Sequence, residues 1–63
     1  MVGENIKELR ERAGLTQQEL ADKCGVGRTF IAQIERGAKL PSLMLADDLA
    51  RLFGCSIDEL IAK

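Results

Sequence analysis

Short apolar stripes, each punctuated by a glycine, run along the whole chain. In residues 4–13, Ile6, Leu9 and Ala13 share one face with charges between them, which is helical spacing. Gly14 ends that run as a C-terminal glycine does. Leu15 precedes Thr16-Gln17-Gln18-Glu19, a T-x-x-E capping box that predicts a second helix starting at Thr16. Leu20, Ala21 and Cys24 supply its apolar face, and Gly25 stops it. Val26-Gly27 leads to a third helix over residues 28–36, with Phe30, Ile31 and Ile34 on the buried face. Arg36-Gly37 closes it, placing a cation at the negative end of the helix dipole. Residues 37–41 read as a loop. Ser42 is the N-cap of a fourth helix through Phe53, striped by Leu45, Ala46, Leu49, Ala50, Leu52 and Phe53. Gly54 ends that helix. Ser56-Ile57-Asp58-Glu59 is a second capping box, opening a short fifth helix with Ile57, Leu60 and Ile61 inward. The pattern predicts an all-α fold of five short helices, one domain over residues 1–63, with no strand.

The stretch from Gln17 to Arg36 carries the most information. Two helices of two to three turns are joined by about four residues. Ala21 is small where the third helix crosses the second, and Gly25 permits the left-handed conformation of a tight reversal. Ile31 and Ile34 turn one face of the third helix back onto the second. Arg28, Thr29, Ala32, Gln33 and Arg36 are left facing outward. Helices joined in this way form a helix-turn-helix, whose second helix enters a DNA major groove.

Composition narrows the chemistry. Sixty-three residues hold one small domain and leave no room for a catalytic or ligand-sensing one. With 46% apolar residues the chain is not a disordered one. Nine basic against ten acidic side chains make a generic polycationic coat for nucleic acid untenable, so any such binding needs a local patch. The charge is unevenly spread. Residues 1–40 hold seven basic and six acidic groups, and residues 41–63 hold two and four. The outward side of the third helix and the loop after it are basic, through Arg28, Arg36 and Lys39.

Histidine is absent, which removes the commonest general base and metal ligand. Cys24 and Cys55 are not a CxxC pair, so no zinc site is expected. They read either as small buried apolar residues or as a disulfide or redox pair, and their apolar positions favour the first. An enzyme is therefore a poor fit. No cofactor, metal or small-molecule ligand is expected. No apolar run reaches the roughly 20 residues of a membrane span, and a reducing cytoplasm is the expected compartment.

The run LRERAGLTQQELADKCGVGRTFIAQIERGAKLPSL resembles the Cro and lambdoid repressor, or Xre, type of helix-turn-helix domain, and the likeness extends from Ile6 to Ile61. The motifs L-T-Q-Q-E-L-A, I-x-Q-I-E-R-G and P-S-L in that order are specific. The resemblance implies a five-helix fold, sequence-specific binding to operator DNA as a transcriptional regulator, and homodimers on two-fold sites. It places Gln17 where the family grips the DNA backbone. It also makes Arg10 and Glu35 a partly buried ion pair between the first and third helices. Two positions depart from the pattern. Gly27 stands where Ser or Thr commonly caps the recognition helix, and Asp47 stands where relatives look apolar.

Residue roles follow. Gln33 is the first candidate for base readout, since glutamine can bond adenine N6 and N7 bidentately. Arg28 reaches a guanine or a phosphate, and Thr29 a thymine methyl or a phosphate. Thr16, Gln17, Arg36 and Lys39 are phosphate candidates, with Arg36 also readable as a dipole partner. Lys7, Arg12 and Lys23 look like solvated helix faces. The homodimer surface is expected in the acidic C-terminal third, around Leu40, Ile57 and Leu60. A different reading keeps the fold and makes it a protein-binding module, such as an antitoxin or co-regulator.

Overall fold

The structure is a computed structural model and describes residues 2–62. It contains five α-helices: α1 (Val2–Arg12), α2 (Gln17–Cys24), α3 (Arg28–Arg36), α4 (Leu43–Phe53) and α5 (Ile57–Ile61). No strand occurs among the described residues. The helix starts are fixed by side chains that satisfy backbone N–H groups left free at a helix N-terminus. Thr16 Oγ1 accepts from Glu19 N at 3.0 Å, while the Glu19 carboxylate accepts from Thr16 N at 2.9 Å. Ser56 and Glu59 repeat this box at α5, and Ser42 caps α4 through Leu45 N. Gly27 caps α3 with no side-chain bond.

The turn between α2 and α3 is three residues, one fewer than the spacing suggested. Gly25 sits there at φ 69°, where a side chain would be strained. Its left-handed conformation lets the Val26 N–H bond back to the Ala21 carbonyl at 3.0 Å, and the chain reverses at once.

Ile6, Leu20, Ala21, Ile31, Ile34, Leu45, Ala46, Leu49 and Leu60 form the core, drawn from every helix. Helix α3 packs on both α1 and α2, and α5 packs on α1 and α4. Three expectations change. Helix α1 starts at Val2 and stops at Arg12, so Ala13 is exposed rather than on the buried face. The early start works because Gly3 lies against α3. A Cβ there would stand 2.3 Å from the Ile34 carbonyl oxygen and 2.7 Å from that of Glu35. Ile61 is 48% exposed, whereas Leu60 is fully buried. A helix of one turn has room to bury only one of these neighbours. Leu52, at the edge of the α4 stripe, is exposed too.

Asp47 causes no register shift. It remains on the flank of α4, where its carboxylate pairs with Arg51 one turn later at 3.0 Å. No helix among the described residues is long and apolar enough to cross a membrane.

Candidate nucleic-acid interface

At about 100° per residue, Arg28, Ala32, Arg36, Thr29 and Gln33 share one arc of α3. The opposite arc carries Ile31 and Ile34, both fully or almost fully buried. Packing of that apolar arc on α1 and α2 is what turns the polar arc outward. Arg28, Thr29 and Arg36 are exposed, and Gln33 is half-buried. Among the described residues, none of these four side chains is bonded to another protein group. Their donors and acceptors are therefore free for a partner.

Lys39 follows the helix. Its ammonium lies 5.9 Å from the centre of the Phe30 ring, an attraction worth about 0.5–1 kcal/mol at an exposed site. That is weak enough to leave the charge available. Thr16 is exposed as well. Its oxygen accepts the cap bond, and its hydroxyl proton remains free to donate.

Beneath this surface, Arg10 and Glu35 meet as the resemblance implied. Arg10 Nε lies 2.7 Å from Glu35 Oε2, and Nη2 lies 3.1 Å from Oε1. Both residues are 9% exposed. Arg10 Nη1 also donates to the Leu15 carbonyl, which holds the α1–α2 turn. The hydrogen bond to Glu35 raises the guanidinium pKa above its ordinary value, against the opposing effect of burial.

One contact was not legible beforehand. Gln17 Nε2 donates to Glu35 Oε1 at 3.1 Å. The residue expected to grip DNA is thus tied to the buried pair and keeps one amide N–H to offer. A cleft of about 280 Å³ opens there between α1, α2 and α3. Lys7 lines it together with Gln17, Ala32, Glu35 and Arg36, although its spacing in α1 reads only as solvated face. No sequence signal brings residues 7, 17 and 36 together. The packing of three helices does.

The cysteines are both half-buried and unbonded. Burial, with a smaller effect from Asp48, pushes the Cys24 thiol up from its ordinary range, so little thiolate forms near neutral pH. The expected dimer surface needs correction. Leu60 is fully buried in the core and cannot meet a partner, and Ile57 is half-buried. Leu40, Leu43 and Met44 are exposed at 77%, 78% and 81%.

Two short helices crossing at a tight turn, with a free polar arc on the second, define a helix-turn-helix protein. The chain belongs to the helix-turn-helix family, whose profile matches residues 6–60. It is similar to an uncharacterized HTH-type transcriptional regulator of Archaeoglobus fulgidus, with 47% identity over 55 residues, covering 87% of this chain and 79% of the relative. It is also similar to the immunity repressor protein of Bacillus phage phi105, 34% identical over 98% of this chain and 43% of the repressor. Among solved structures it resembles SinR, the master regulator for biofilm formation, in complex with DNA. That likeness has a TM-score of 0.88 at 31% identity and covers 97% of this chain and 98% of the other. The restriction-modification controller protein C.AhdI from Aeromonas hydrophila gives a TM-score of 0.86 at 33% identity, over 95% and 91% of the two chains.

Proposed function

We infer that this chain is a sequence-specific DNA-binding transcriptional regulator that lays α3 in the major groove of operator DNA. The observation that carries this is the free polar arc of Arg28, Thr29 and Gln33, fixed outward by Ile31 and Ile34. Gln33 and Arg28 read base edges, and Thr29 meets a methyl group or a phosphate. Thr16, Gln17, Arg36 and Lys39 hold the backbone on either side. Binding over a promoter excludes polymerase, so the chain works as a repressor, as the likeness to phage repressors supports. No chemical step is assigned to it, and Cys24 is a poor nucleophile where it sits. The cytoplasm, where operator DNA is reached, is its working compartment.

A second copy completes the regulator. Reading helices of a two-fold dimer span half-sites about 34–36 Å apart, and the exposed Leu40–Met44 segment supplies apolar surface for the contact. Sedimentation of the chain with operator DNA tests this. A one-to-one complex at high protein concentration would rule out the dimer.

Selection of bound sites from a random duplex pool supplies the operator. On that site Gln33→Ala is expected to lose about 1–3 kcal/mol and to relax one base position. Lys39→Ala is expected to weaken every sequence alike. Equal losses for both variants on all sequences would defeat the division between reading and gripping residues. A partner protein bound with no salt-dependent DNA affinity would favour the protein-binding alternative.

A further inference from the structure

We propose that the cleft between α1, α2 and α3 receives one backbone phosphate of the DNA, and that Lys7 is a binding residue; this rests on the DNA-binding role above. Lys7 comes from α1, Gln17 from the start of α2, and Ala32 and Arg36 from α3. Among the described residues, no carboxylate lies within ion-pair distance of Lys7 or Arg36. The only acid lining the cleft is Glu35, and Arg10 neutralises it through both carboxylate oxygens. The cleft therefore carries two uncompensated positive charges. All of its free polar ends are donors, and a phosphate is all acceptor.

Gln17 adds direction. One N–H of its amide is held by Glu35, which fixes the amide plane and leaves the second N–H for the ligand. Glu35 is thus a positioning residue. Ala32 is short, so the cleft floor does not obstruct an entering oxygen. Ala32 and Arg36 also lie on the outward arc of α3. A phosphate seated here is consequently a neighbour of the bases that Arg28 and Gln33 face. That adjacency assigns the phosphate to DNA rather than to a free anion.

Salt-dependent binding of the intact chain separates the contributions. Neutralising a cation at a phosphate lowers the slope of log affinity against log salt by about 0.9. Lys7→Gln is expected to show that loss on the selected site and on random duplex alike. Lys23→Gln, which removes the same charge from the exposed side of α2, is expected to leave the slope unchanged. Gln17→Ala, which removes a neutral donor, is expected to weaken binding about 10-fold or more with the slope kept. Thermal melting of each variant confirms that it is folded. Equal slope changes for Lys7→Gln and Lys23→Gln, or none for Lys7→Gln, would overturn the assignment while DNA binding stood. No salt-dependent affinity in the unaltered chain would overturn both. Millimolar inorganic phosphate at matched ionic strength is expected not to compete with DNA. Competition that Lys7→Gln abolishes would assign the cleft to a free phosphate instead.

Discussion

One carboxylate, Glu35, holds three helices in register. It accepts from Arg10 of α1 and from Gln17 of α2 while belonging to α3. Removing it strands a buried guanidinium, whereas removing both partners does not. Glu35→Ala is therefore expected to cost about 3–5 kcal/mol, and the pair replaced together by Met and Leu much less. Urea denaturation midpoints check this. Weaker DNA binding by Glu35→Ala is first of all a folding defect. Arg10 and Glu35 were legible as a pair only through family resemblance, because nothing local marks two residues 25 positions apart as partners. The Gln17 bond and the approach of Lys7 were not legible at all. They depend on how side chains from three helices converge, which a one-dimensional period does not encode.

At the scale of elements, punctuation and period agree for α2, α3 and α4, and their starts and ends coincide with the caps read from sequence. The caps are worth measurable energy. Thr16→Ala is expected to destabilise the fold by about 1 kcal/mol. Bonds from Thr16 hold the Glu19 carboxyl below its ordinary pKa. The sign follows directly. An unfolded glutamate ionises near pH 4.3, and in the folded chain it ionises lower. Its stabilising contribution is present above that value and is lost as pH falls through the folded one. The stability gap between wild type and Thr16→Ala is therefore expected to narrow on acidification below about pH 4. Chemical denaturation at a series of pH values reads it. The errors at this scale share one cause. Gly3 is a weak helix former, and only the close approach of α1 to α3 explains its place inside a helix. Ile61 follows Leu60 in a single turn, too short for periodicity to choose between them.

For the whole molecule, the net charge of −1 is an average over unlike regions. The arc of α3, the loop after it and the α1–α2–α3 cleft present cations, while α4 and α5 hold four acids against one arginine. Such a charge limits non-specific affinity and leaves local contacts to supply the rest. The chain also closes on itself. The Asn5 side chain donates to the Leu60 carbonyl at 3.0 Å and to that of Ala62. Val2 and Ile61 line one shared cavity. The first and last helices are thus stitched edge to edge, and sequence order around the fold is nearly a ring. A ring can be cut elsewhere. Joining the two ends through a short glycine-serine linker and opening the exposed segment between Leu40 and Pro41 gives a permuted chain. It is expected to melt within a few degrees of the original and to bind the same selected duplex. Failure to fold would mean that the order of synthesis, and not only the final contacts, holds α1 and α5 together.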